Sequence, residues 1–426
     1  MIKSFDIQKG DVITITGAGG KTALIFFLAK KLSKFGKVLI TTTTKIFVPK
    51  LEEFEEMVIS EKKVKGLEKN IFIYGKSIED NKLLSLSFEE ILKLKENFDF
   101  ILIEGDGAKR KKIKAWNETE PCIPNFSTKV IGVVNLDIVF LELIEENIHR
   151  YELFCELFKK FLGKSINSDF LIDYIKKGEF FKNSFFGEKY IFFNGIDGKN
   201  YLEKFSIALE ACNKLNYNYN YKFVLGSIKE NNCFKFIPTD AIVMASGFSK
   251  RMKSNKLLLL YKNKTILDCT FEKLLKIPFL NIYVCGREEW VKKLSEKYKF
   301  IYLENKKAEL GQSESIKLGV RNSVGEGVVF FTGDQPLLTT EIILKIYYNF
   351  QKNNGITIPK VDNKRFSPVF FPENKKNELL NINGDVGGRE VIKNSSILYF
   401  VDFKNEIEFK DIDTPEDYEL LIKNEF

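Results

Sequence analysis

The chain has 426 residues, of which 44% are hydrophobic, 29% charged and 14% aromatic, with 40 Phe against 10 Pro. These proportions exclude a disordered chain, and no apolar run approaches the roughly 18 residues of a membrane span, so a cytoplasmic protein of two or three folded domains is expected. The formal charge of +8, from 66 basic and 58 acidic residues, suits anionic small molecules as well as nucleic acid and does not decide between them.

The first predicted strand, 12–16, runs into Gly17-Ala18-Gly19-Gly20-Lys21-Thr22 and then into a helix over 23–32. Ile15 stands where the usual phosphate-loop spacing has glycine, so the pattern is the shortened T-G-x-x-G-K-T. Gly17, Gly19 and Gly20 let backbone N–H groups converge on a phosphate, the helix start adds its positive end, and Lys21 adds a point charge. Thr22 would then place a hydroxyl on Mg²⁺; the plainer alternative is a glycine-rich turn. A strand at 38–40 ends in four threonines and Lys45. A further strand at 98–103 ends in Glu104-Gly105-Asp106-Gly107, where Glu104 or Asp106 would hold Mg²⁺ or orient water, unless the segment is an ordinary polar turn. The basic run 109–114 would suit a phosphorylated or acidic substrate, although such runs are more often solvated faces. From 142 to 220 the chain is rich in Phe, Tyr, Lys and Asn with helical periodicity, for example 151–161.

The second half repeats this grammar from Pro238 onward, which divides the chain into domains 1–237 and 238–426. A strand at 241–245 delivers Ala245-Ser246-Gly247, with Ser249 as a further anion donor and Arg251 and Lys256 placed to meet a triphosphate. Gln312, Ser313 and Ser315 open a helix, a suitable place for base and ribose contacts. The strand 328–331 ends in Thr332-Gly333-Asp334, one carboxylate at a strand end. Asp385 and Arg389 sit in a glycine-rich turn, and Asp411 and Asp413 precede a helix capped by Thr414-Pro415. The six cysteines never approach C-x-x-C spacing and read as buried thiols, and His149 is the sole histidine. Oxygen ligands and Mg²⁺-type chemistry therefore remain. The fold class expected is α/β in two tandem domains.

ITGAGGKT, LITTTTKIFVP and ILIEGDGAKRKKIKAWNETEPCIP resemble the selenium-dependent hydroxylase accessory family of YqeC type, through about residue 130. The resemblance implies a P-loop-like parallel-sheet domain with a nucleotide-dependent role, ATP or GTP at its site, in maturing molybdenum hydroxylases that also need selenium. A hydroxylase apoenzyme would be its partner.

From about residue 240 to the end, the order of motifs resembles the MobA-like nucleotidyltransferases, most closely molybdenum cofactor cytidylyltransferase. This implies a Rossmann-like domain that moves a nucleoside monophosphate from an NTP onto a molybdopterin phosphate with Mg²⁺, releasing pyrophosphate. It also implies Arg251 and Lys256 as phosphate ligands, Asp334 as main metal ligand and Asp413 as second, with Asp411 an alternative to Asp413. Cytidylyl-transferring relatives show A-A-G-x-S and guanylyl-transferring ones A-G-G-x-G; Ser249 leans to CTP, while Ser246 is ambiguous. Lys253 replaces a usual glycine, and Arg365-Phe366-Ser367-Pro368 lacks another. A sugar-phosphate nucleotidyltransferase and a nucleotide-gated cofactor-insertion chaperone are the competing readings. Neither a nucleic-acid nor a membrane partner is expected.

Overall fold

A computed structural model describes residues 2–59, 62–184, 186–216, 219–249, 251–252, 255–384 and 387–423. The chain divides into two compact units, Met1–Phe236 and Ile237–Phe426. Among the described residues, no helix is long and apolar enough to cross a membrane.

In the first unit, Val12–Gly17 lies in the middle of a ten-stranded sheet, parallel to Lys129–Asn135 on one side and to Phe100–Glu104 on the other. Every residue of these three strands is buried, as expected where helices cover both faces of a parallel sheet. Beyond Lys129–Asn135 lie Glu188–Asn194, Tyr221–Ser227 and the antiparallel edge Asn232–Lys235. On the other side come Val38–Thr42, Ile71–Gly75, Glu56–Ile59 and the antiparallel Lys62–Lys65. The helix Lys21–Leu32 packs Leu24, Ile25, Leu28, Ala29 and Leu32 into this core, a one-sided stripe at helical spacing.

The stretch 142–220 differs from its predicted helical character. It holds the helices Tyr151–Phe158, Ser168–Lys177 and Tyr201–Asn216, but also the strand Glu188–Asn194. The run Tyr190-Ile191-Phe192-Phe193 is buried throughout, so it carries none of the alternation that distinguishes a half-exposed strand from a helix.

In the second unit the sheet runs Ile301–Glu304, Ile282–Gly286, Thr239–Ala245, Gly327–Thr332, Val369–Pro372, Thr357–Val361 and Lys364–Arg365, with Tyr399–Phe403 beside Thr357–Val361. It is mixed rather than all parallel. The first four strands are parallel, whereas Val369–Pro372 runs antiparallel to Gly327–Thr332 and to Thr357–Val361. The link from Thr357–Val361 back to Val369–Pro372 is too short for the dozen-residue crossover that parallel neighbours require.

The opening strand is anchored at its start by Asp240, whose Oδ2 accepts from Ser323 Oγ and from the N–H groups of Val324 and Gly325 at 2.8–2.9 Å. Gly319 lets the helix Gln312–Asn322 approach this strand closely, since a Cβ there would stand 2.4 Å from Ile242. All six cysteines are free; Cys212, Cys269 and Cys285 are buried as expected, whereas Cys122, Cys155 and Cys233 are partly exposed.

Candidate functional site

Parallel pairing collects the carboxyl ends of four strands of the first unit at one edge, and the glycine loop sits there. Asn135 and Asn194 are register partners, and the Nδ2 of each donates to the carbonyl of Gly19, at 2.8 and 3.3 Å. The loop presses against them: a Cβ on Gly19 would meet Asn135 Cβ at 2.4 Å, and one on Gly20 would meet Asn194 Nδ2 at 2.6 Å. Both glycines hold positive φ, +73° and +139°. Neither asparagine was predicted; each closes an apolar strand far along the chain.

The Gly17 and Ala18 N–H groups are committed to Asp106 and to the Val133 carbonyl. The Gly19 and Gly20 N–H groups and the helix start at Lys21 and Thr22 are therefore what the loop offers an anion. Lys21 is buried, its ammonium 2.7 Å from the Gly17 carbonyl, 3.3 Å from Asp106 and 3.9 Å from Glu104. Thr22 Oγ1 donates to Glu104 at 3.0 Å, so the predicted hydroxyl and carboxylate stand together. Burial raises the Glu104 pKa above its ordinary value, with Lys21 and Thr22 opposing the rise.

Asp106 also organises the loop and the basic run. It is fully buried, and its Oδ2 accepts from Gly17 N–H, Lys114 Nζ and Trp116 Nε1, at 3.0, 3.0 and 2.7 Å, while Oδ1 faces Lys21. Oδ2 thus carries three donors, while Oδ1 is buried without a hydrogen-bond partner. The basic run departs from a solvated face at its end: Lys114 is fully buried, bonded to Asp106, the Gly107 carbonyl and Glu120. Glu120 also takes Arg150 at 2.6 Å; burial works against its charge, but Arg150 and Lys114 outweigh that and hold it at about 2. An ion chain thus runs from Lys21 through Asp106, Lys114 and Glu120 to Arg150.

In the second unit a cleft of about 760 Å³ opens at the carboxyl ends of the parallel strands. Ser246, Gly247, Ser249, Arg251, Lys256, Gln312, Ser315, Asp334, Arg389, Asp411 and Asp413 all line it. The glycine loop after Thr239–Ala245 doubles back at Ser249, whose φ is +49° and whose Oγ accepts the Lys256 N–H at 3.2 Å. The Lys256 ammonium lies between Asp334, in close contact, and Asp413 at 2.8 Å, and Arg251 reaches Asp413 at 3.1 Å. Burial lowers the Lys256 pKa, but Asp334 and Asp413 outweigh it and the net shift is upward. Asp411 is pushed up to about 7, first by burial and then by Asp334 and Asp413.

Two predicted residues do not face the cleft. Ser313 is fully buried, because one helical step of about 100° turns it from the face shared by Gln312 and Ser315 toward the core. Ala245 is buried within its strand and does not line the cleft. Asp385 and Lys253 lie outside the described residues. A residue that was not predicted, Asn305, donates to Ser246 Oγ at 3.4 Å and to Ser315 Oγ at 3.0 Å, tying the glycine loop to the helix. It follows the strand Ile301–Glu304 directly, and that strand-end position is its only sequence signal.

Among the described residues, no three His, Cys, Asp or Glu side chains form a metal cage. Asp334 Oδ1 is nonetheless buried without a hydrogen-bond partner and lies beside the Asp411 and Asp413 carboxylates. One or two carboxylates completed by substrate phosphates is the usual donor set for Mg²⁺, so these residues fit the ion.

Both units match known families. Residues 241–398 match a family described as the MobA-like NTP transferase domain, which makes the second unit a nucleotidyltransferase domain. Residues 13–152 match a family described as YqeC protein, so the chain joins a YqeC domain to a MobA-like nucleotidyltransferase domain. Over 158 residues it is 36% identical to the uncharacterized protein YqeC of Escherichia coli, covering 35% of this chain and 61% of that protein, under two thirds of its length. The other half is 27% identical over 202 residues to purine catabolism protein PucB of Bacillus subtilis, covering 42% of this chain and 94% of that one. It is 25% identical over 181 residues to molybdenum cofactor cytidylyltransferase of Escherichia coli, with 42% and 93% covered.

Proposed function

We propose that the second unit transfers CMP from CTP to the phosphate of a molybdopterin-type cofactor and releases pyrophosphate. The observation that carries this reading is the convergence of Arg251, Lys256, Asp334 and Asp413 on one cleft beside a glycine loop. An acceptor phosphate oxygen attacks the α-phosphorus of the nucleotide. The new phosphoanhydride bond forms as the α–β bond breaks, and the electron pair leaves with pyrophosphate. Lys256 and Arg251 stabilise the charge that collects on the departing group. Asp334 and Asp413 would hold Mg²⁺, which when bound neutralises phosphate charge. Their present partner, Lys256, then turns to the phosphates. The A-x-G-x-S pattern at Ala245, Gly247 and Ser249 supports CTP as donor.

In the first unit, Lys21, Thr22 and Glu104 bind a Mg²⁺-nucleotide, ATP or GTP. This nucleotide-dependent unit is an accessory in maturing a molybdenum hydroxylase that also needs selenium. The similarity of this unit to YqeC supports reading it as an accessory domain of that type.

The decisive assay supplies purified protein with Mg²⁺, molybdenum-loaded molybdopterin and each of the four NTPs. Pyrophosphate release with CTP, lost in Asp334→Ala, is the expected outcome. Equal release with every NTP, or none with CTP, overturns the cytidylyl assignment. Release with sugar phosphates in place of molybdopterin favours the wider sugar-phosphate class.

A further inference from the structure

Phe248 is an exposed aromatic residue on the cleft wall. It lines the cleft inside the glycine loop, yet its side chain is 46% exposed. The Arg287 guanidinium lies over the ring at 4.2 Å from its centroid. Arg287 is itself held by Glu288 at 2.8 Å, and Glu288 is fixed by Asn255 Nδ2 at 2.9 Å and by the Trp290 indole N–H. The ring is therefore backed by a planar cation on a fixed mount. Space is open beside it, since a Cβ on the neighbouring Gly247 would meet nothing within 4 Å.

From this arrangement we propose that Phe248, backed by Arg287, is a stacking platform for a planar heteroaromatic ring of the substrate pair. This inference rests on the transferase reading of the cleft and names a contact that reading lacks. A partly exposed ring beside open space gains by stacking, and a cation already over the ring adds to the attraction. The ring belongs either to the nucleobase of the NTP or to the flat ring system of the acceptor, and the two are separated by which ligand perturbs the platform.

The test uses the full chain. Phe248→Ala raises the KM for the substrate that stacks by about 10-fold, the lower part of the range for losing one base–aromatic stack, while Phe248→Trp keeps it near wild type. In Phe248→Trp, fluorescence above the Trp116 and Trp290 background is quenched by that same substrate added alone. Quenching by CTP assigns the nucleobase; quenching only by molybdenum-loaded molybdopterin assigns the acceptor. Wild-type kinetics in Phe248→Ala with no quenching by either ligand overturns the proposal. Phe248→Leu performing as well as Phe248→Trp also overturns it, because apolar volume alone would then suffice. If wild-type protein releases no pyrophosphate, the transferase reading fails, while the quenching experiment still reads ring binding.

Discussion

Replacing Lys256 by alanine probes how the cleft is held together. Its ammonium contacts Asp334 and Asp413, and these two carboxylates together with Asp411 crowd one end of the cleft. Removing one partner of a buried ion pair costs about 3–5 kcal/mol, because the other charge is left uncompensated. The side chains of Lys256 and Asp334 are 16% and 11% exposed, but that of Asp413 is 38% exposed and well screened by water. The expected loss is therefore smaller, about 2 kcal/mol, or about 4–8 °C in Tm for a unit of this size.

Thermal unfolding with a metal chelator measures the loss directly. Mg²⁺ brings positive charge to the same carboxylates, so it raises the Tm of Lys256→Ala more than that of wild type. Pyrophosphate release falls by about 10²–10³-fold, as when one preorganised charge-stabilising group is removed, and added Mg²⁺ does not restore it. An unchanged Tm in chelator would show that the ammonium does not hold the carboxylates together. Unchanged turnover would remove Lys256 from the chemistry.

Lys21→Ala weakens Mg²⁺-dependent nucleotide binding by about 10- to 100-fold, the scale of one hydrogen bond to a charged group, as read by calorimetry in an Asp334→Ala background. Pyrophosphate release by Lys21→Ala alone stays at the wild-type rate. Gly19→Ala and Gly198→Ala compare the same φ of +73° with and without crowding: Gly19 faces Asn135 Cβ at 2.4 Å, and Gly198 faces nothing within 4 Å. Gly198→Ala should cost about 1 kcal/mol in denaturant melts and Gly19→Ala distinctly more, with nucleotide binding lost as well. Asp411 titrates in the fold at about 7 against an ordinary 3.8, so its neutral form stabilises the native state. That contribution is complete below about pH 4 and is lost as pH rises through 7. In chelator, Tm therefore falls between pH 5 and 8 more steeply for wild type than for Asp411→Asn; parallel curves would refute it. Lys114→Met removes the cation shared by Asp106 and Glu120, and because Lys21 and Arg150 remain beside them it should destabilise the first unit by less than the ~3–5 kcal/mol of a wholly unpaired buried charge, visible as a lower denaturant midpoint.

The parts legible in the sequence are those in which chemistry and conformation share a few adjacent residues. Two glycines before Lys21 and Thr22 at a strand end, or Gly333-Asp334 after an apolar strand, state both the bend and the charge within one short window. The parts missed depend on strands brought together by pairing. Asn135 and Asn194 meet Gly19 only because their strands are parallel neighbours in register. Lys114 reads as one more lysine of a basic run until Asp106 and Glu120 surround it, and nothing local shows that Lys114, Trp116 and Gly17 all donate to one oxygen of Asp106. Ser313 was assigned by its place at a helix start, whereas the helical rotation decides which side chain faces the cleft.

The sequence by itself determined two nucleotide-type openings, the residue types at each, and a reliance on carboxylates, hydroxyls and ammonium groups. Only the tertiary structure decided which charges meet. Local motifs are written by rotation about neighbouring backbone bonds, but Coulomb and hydrogen-bond energies fall with distance in space. Lys256 finds Asp334 and Asp413 across 78 and 157 positions of chain, a pairing made only when the unit is folded.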